Sequence, residues 1–171
     1  MKILKQLKYQ PAKVAGGYTD RILRVNLSTG EIKIQELPAD FKGKYTGGRG
    51  YALKLMWDET TRETRYNSPE NLLVMANGPL GNEPGFPGTG KFIVGSISPL
   101  TETFIDSNVG GHFGPLLKLA GFDALAVSGI SGEDVVILID ADEGSISIAA
   151  APAYNSQTDK GALTFGQQLL K

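Results

Sequence analysis

The sequence predicts a β-rich α+β domain with a few short helices, and three features carry that prediction. Two pairs of alternating apolar and polar runs, "RILRVNL" with "EIKIQEL" and "DVVILID" with "SISIA", each meet at a glycine turn and read as β-hairpins. Between them, Asn77 to Gly121 is dense in glycine and proline yet keeps strand-like runs and one helical stretch. The chain holds 22 glycines in 171 residues, close to twice the usual ~7%, which fits a turn-rich framework or a site lined by bare backbone.

Taken in order, residues 1–17 ("MKILKQLKYQPAKVAGG") spread Lys2, Lys5, Lys8 and Lys13 through a segment closed by Gly16 and Gly17. They are expected to form a basic N-terminal extension, either a solvated arm or one that docks on a partner, ahead of a single domain over 18–171. The first hairpin turns at Gly30, where a positive φ is needed. "FKGKYTGGRGYALKLMWDE" passes from a glycine cluster into a helix. Ala52, Leu55 and Met56 share one of its faces, and Leu53 and Trp57 a neighbouring one. After a Ser68-Pro69-Glu70 turn, "NLLVMAN" is a continuous apolar strand, expected to be buried on both sides. "KFIVGSI" and "TFIDSN" read as two more strands. "GGHFGPLLKLAG" is a glycine turn and a short helix, with Pro115 tolerated in its first turn and Gly121 ending it. "FDALAVSG" returns to a strand. "QTDKGALTFGQQLLK" is helical in composition, with Thr158 or Asp159 as its cap.

Bulk properties exclude several classes. Apolar residues make up 41% and charged residues 20%, so the chain can bury a core without staples. A net charge of −1 gives no general attraction to nucleic acid or anionic membrane. No apolar run reaches the roughly 18 residues of a membrane span, and the N-terminus lacks the apolar stretch of a signal peptide. A cytoplasmic location is the expectation. The chain has no cysteine, which removes disulfides, thiolate zinc sites and cysteine-held iron–sulfur clusters from this polypeptide. His112 is the one histidine. It reads first as a packed, hydrogen-bonded residue and second as a ligand or acid/base.

Three stretches could carry chemistry. "GGRG" places Arg49 among Gly47, Gly48 and Gly50 just before a helix. There a guanidinium and free N–H groups suit phosphate or carboxylate, the alternative being a tight turn with an exposed arginine. "GFPGTGK" matches the phosphate-loop spacing from Gly85 to Gly90 and Lys91, but Phe92 stands where a hydroxyl must bind Mg²⁺, and a strand follows instead of a helix. Nucleotide hydrolysis is therefore disfavoured, while Lys91 can still hold an anionic group. "DSNVGGHFG" offers Asp106, Asn108 and the bare pair Gly110–Gly111, where another molecule can approach the peptide groups.

"RILRVNLSTGEI", "GGRGYA", "SPENLLVMANGPL", "SISPLTETF", "SNVGGHFG" and "LKLAGFDALAVSG" occur in one order. Together they resemble the N-terminal domain of the tungsten-containing aldehyde ferredoxin oxidoreductase family, over roughly residues 17–171. The resemblance implies a domain of two sheets on which a bis-pyranopterin carrying tungsten, or molybdenum, rests. It implies oxidation of aldehydes to carboxylic acids, with electrons passed to ferredoxin through a [4Fe–4S] cluster. The cluster and the catalytic acid/base residues belong to other domains. Without cysteine, this chain would be a separate subunit or a fragment of a longer enzyme, completed by a cysteine-containing catalytic partner chain, with ferredoxin or an iron–sulfur subunit as the electron acceptor.

By the same resemblance, Lys91 matches an arginine that contacts a pterin phosphate, so the charge is kept and the bidentate fork is lost. Asn108 matches an asparagine whose backbone carbonyl helps hold the Mg²⁺ that bridges the two pterin phosphates. Gly90, Gly110 and Gly111 flank these positions, and Arg49 with Gly47 and Gly48 is expected near the cofactor. His112 falls where relatives carry an aromatic residue. The competing expectation is a non-catalytic interaction module that keeps the fold without the cofactor.

Overall fold

A computed structural model of the protein describes residues 1–153 and 161–169. The expected α+β architecture is what it shows, with two sheets and a few short helices. The larger sheet has six strands in the order β3-β2-β7-β4-β5-β6: β2 (Arg21–Asn26), β3 (Glu31–Glu36), β4 (Leu73–Asn77), β5 (Phe92–Ile97), β6 (Phe104–Val109) and β7 (Ala124–Ser128). Only the β2–β7 pairing in it is parallel. The smaller sheet is antiparallel, in the order β1-β9-β8, from β1 (Ile3–Lys8), β8 (Val135–Asp140) and β9 (Ser145–Ala150). Two of the helices are α1 (Phe41–Tyr45) and α2 (Arg49–Glu59). Among the described residues the others are α3 (Phe113–Leu119) and α4 (Gly161–Leu169). Among the described residues, no helix is long and apolar enough to cross a membrane.

The β2–β3 hairpin closes because Asn26 Oδ1 accepts the N–H groups of Ser28 and Thr29, and Gly30 takes a φ of +70°. The end of α3 is a Schellman motif. Phe122 N–H reaches Leu117 O, Gly121 N–H reaches Lys118 O, and Gly121 has a φ of +92°.

Strand alternation feeds two cores. Ile22, Val74, Ala76, Ala124 and Ala126 point to one face of the large sheet, where they pack with Tyr51, Ala52, Leu55 and Met56 of α2 and with Phe41 of α1. Leu23, Val25 and Leu125 point to the other face and meet Leu117, Phe122, Ile146 and Ile148. The large sheet is thus covered by α1 and α2 on one side, and by α3 and the small sheet on the other. Fully burying each of the larger apolar side chains contributes about 1.5–3 kcal/mol.

This layering departs from the expectations in two places. β2 was expected to be half-buried but is covered on both faces. Arg24 lies on the α2 side and pairs with Glu59 at 2.6 Å. Leu53 and Trp57 point to solvent, Trp57 at 84% exposure, and the packed face of α2 carries Tyr51, Ala52, Leu55 and Met56. The 1–17 segment is not a solvated arm. Residues 3–8 form an edge strand on β9, and Tyr9 stacks at 5.3 Å on Phe122 and donates its hydroxyl to Ala120 O. The expected cap of the last helix, Thr158 or Asp159, lies outside the described residues.

Candidate functional site

The glycine-rich loops converge where β4 ends, β5 begins, β6 ends and α2 starts. A hollow of about 200 Å³ opens there, lined by Gly47, Gly48, Gly78, Lys91, Ile93 and Asn108 among others. A second, of about 320 Å³, adjoins it along the Gly78–Lys91 loop and is rimmed by Leu80, Phe86 and Thr89. Gly78 and Lys91 line both. Four of the expected residues, Gly47, Gly48, Lys91 and Asn108, therefore share one cavity. Asn108 sits on β6, an edge strand paired opposite Ile93 of β5. Alternate carbonyl groups of an antiparallel edge strand face away from its partner.

The glycines divide into two kinds. Some are closed in by the protein itself. A Cβ on Gly47 would stand 2.6 Å from Asn77 O, and one on Gly90 would stand 2.7 Å from Gly111 O. These residues let loops touch each other. Others face open space: a Cβ on Gly78, Gly88 or Gly111 would meet nothing within 4 Å, and one on Gly110 only Lys91 Cε at 4.0 Å. These leave backbone bare toward the outside, beside Lys91. Both Gly48 and Gly111 also need a positive φ, +51° and +103°.

Arg49 stands apart from the hollow. Its guanidinium makes a two-pronged contact with Asp106, Nε to Oδ1 at 3.0 Å and Nη2 to Oδ2 at 2.9 Å. That hydrogen bonding, and then the charge of Asp106, raise the Arg49 pKa still further, so the group stays cationic. Its fork is already engaged by a carboxylate. His112 is the N-cap residue of α3, is exposed, and makes no capping hydrogen bond through its side chain. The packed, hydrogen-bonded histidine expected from the sequence is not found. Among the described residues, no group of three or more His, Cys, Asp or Glu gathers as a metal site.

Three residues beneath the hollow escaped the sequence reading. Asn77 accepts the Gly48 N–H through its carbonyl at 2.8 Å, donates its own N–H to Asp123 O, and donates Nδ2 to Gly114 O at 3.0 Å. One residue thereby ties the loop before α2 to α3 and to the start of β7. Lys118 and Asp123 form an ion pair at 2.8 Å with both side chains almost wholly buried. The signal for Lys118 was present: it is one residue from Leu117 and four from Gly114, on the buried face of α3. Nearby, Tyr51 is fully buried, and its hydroxyl has no partner among the described residues. Burial, then the charge of Asp123, push that phenol well above its ordinary range.

A model of the family described as "Aldehyde ferredoxin oxidoreductase, N-terminal domain" matches residues 22–169. The chain belongs to the aldehyde ferredoxin oxidoreductase family. The tungsten-containing aldehyde ferredoxin oxidoreductase of Pyrococcus furiosus is 42% identical over 123 residues, covering 72% of this chain and 20% of the relative. That of Thermococcus kodakarensis is 40% identical over 134 residues, covering 78% and 22%. A Pyrococcus furiosus aliphatic sulfonate oxidoreductase, WOR-like subunit, is 31% identical over 141 residues. The active-site complex BamBC of benzoyl coenzyme A reductase, solved with 1,5-dienoyl-CoA, superposes with a TM-score of 0.77 at 32% identity, covering 95% of this chain and 23% of that one. This member of the aldehyde ferredoxin oxidoreductase family thus spans about a fifth of the length of the curated relatives it matches.

Proposed function

We propose that this chain is the cofactor-cradling part of a tungsten or molybdenum bis-pyranopterin oxidoreductase of aldehyde ferredoxin oxidoreductase type. The observation that carries the proposal is the hollow. Gly78 lines it with one cation, Lys91, and an edge-strand asparagine, Asn108; Gly88 opens the adjoining hollow that Lys91 also lines, and bare Gly110 faces the Lys91 side chain. A large, flat, anionic group needs surfaces without Cβ atoms and a positive charge at the rim, and these residues fit it.

In this reading Lys91 holds a pterin phosphate as a point charge. The Asn108 carbonyl would be a ligand for an accompanying Mg²⁺, and the open glycine peptides would leave room for the cofactor. Arg49 has its fork taken up by Asp106 and is not free to bind the cofactor through it. When bound, the metal–pterin supplies the redox chemistry, oxidising an aldehyde to a carboxylic acid. Because these residues include no cysteine, a [4Fe–4S] cluster and the route to ferredoxin would be held by residues other than these. The exposed rim residues Leu80 and Phe86, 60% and 58% exposed, fit a face that the rest of the enzyme covers.

Metal analysis of natively purified material, with every co-purifying chain retained, tests the proposal. About one tungsten or molybdenum per copy of this chain is the expected result. A content far below that, in particles that contain a cysteine-bearing companion, sinks it.

A further inference from the structure

Lys118 and Asp123 are a buried ion pair that the site as described does not use. Burying two charges is costly, and an apolar pair of similar volume often gives equal or better stability. What an apolar pair cannot do is hold backbone carbonyls. The Lys118 ammonium has three protons and three acceptors: Gly17 O at 2.7 Å, Asp123 Oδ1 at 2.8 Å and Gly78 O at 3.3 Å. Asp123 in turn accepts the N–H groups of Thr19 and Asp20, at 3.1 and 2.8 Å. The pair therefore joins three separate stretches: residues 17–20, the turn after β4, and the corner between α3 and β7. Gly78 lines both hollows, as do Pro79 and Lys91, and its carbonyl also accepts the Gly81 N–H at 3.0 Å.

We infer that Lys118 and Asp123 are positioning residues: a buried clamp that fixes the Gly78 turn at the height the cofactor requires. The inference rests on the proposed use of the Gly78 face as a cofactor floor. The clamp acts from beneath that floor and touches nothing on its open side. Lys118 sets the turn by bonding Gly78 O, and Asp123 sets Lys118.

The double variant Lys118→Met/Asp123→Asn removes both charges, keeps the side-chain volume, and leaves an acceptor for the Thr19 and Asp20 amides. In the full chain with its co-purifying partners, amide hydrogen exchange over residues 78–81 is expected to quicken by about tenfold or more, with β2 and β7 little changed. Tungsten or molybdenum per chain is expected to fall by a similar factor. Unchanged exchange at 78–81, or an equal rise throughout β2 and β7, overturns the inference, because the pair then serves general stability alone. Local quickening without loss of metal overturns it as well. Should the variant fail to fold, nitrogen-15 spectroscopy of the unmutated chain decides: the Lys118 ammonium protons are expected to exchange slowly, and exchange at solvent rate overturns the clamp. Failure of the cofactor reading is distinguishable, since it shows as metal missing from the unmutated protein whatever the exchange rates.

Discussion

Two groups of glycines sit within one loop system and answer to different constraints. Gly47, Gly50, Gly90 and Gly114 are pressed against other parts of the chain, whereas Gly78, Gly88 and Gly111 have nothing above them. The first group is needed for the loops to fit together at all. The second leaves a surface stripped of side chains that folding by itself does not require. Glycine content alone therefore says little about binding; the space above each missing Cβ says much more.

The contrast can be broken by substitution. Gly50→Ala would place a Cβ 2.0 Å from the Tyr45 carbonyl oxygen, a backbone clash with no flexible side chain to give way. A loss of about 3 kcal/mol or more in denaturant unfolding is expected, and a loss below about 1 kcal/mol would break the first half of the comparison. Gly114→Ala would meet Asn77 Oδ1 at 2.8 Å and the Phe92 ring at 3.0 Å. Side chains can shift there, so about 1–3 kcal/mol is expected, again read by unfolding.

Gly78→Ala sharpens the other half. Its φ is not positive and its Cβ would point into empty space, so stability should hold or rise by about 0.4–1 kcal/mol. Metal loading, by contrast, should fall. Stability and loading both unchanged would mean that the bare face carries no ligand. The smallest effect is expected for Asp106→Asn. It releases the exposed Arg49 fork, and because such pairs are screened by solvent, the thermal midpoint should barely move. A large drop would show that the pair braces the end of β6.

The sequence reading succeeded where the determinants are local. The two hairpins, the β5 and β6 runs and the end of α3 at Gly121 each depend on neighbours within a few residues. It failed where pairing is long-range. β1 is a lysine-rich edge strand whose partner, β9, lies more than a hundred residues away, so nothing local distinguishes it from a solvated arm. The Arg24–Glu59 pair was likewise not visible, because Glu59 comes from α2. At the site, Lys91, Asn108 and the glycines could be named from the chain, and four of the eight named positions line one hollow. What stayed hidden was which glycines are closed in and that Asp106 occupies Arg49. The Lys118–Asp123 pair was equally out of sight, since each of these depends on the tertiary arrangement.

Asn77 has a practical consequence for anyone who would rebuild this region. Its hydrogen bonds run to Gly48, Gly114 and Asp123, so the three segments share a common anchor and none can be exchanged alone. Transplanting one of them from a relative should misplace the other two, and their mutational effects should be strongly non-additive. Any recombination that hopes to alter this surface has to move all three segments as one cassette.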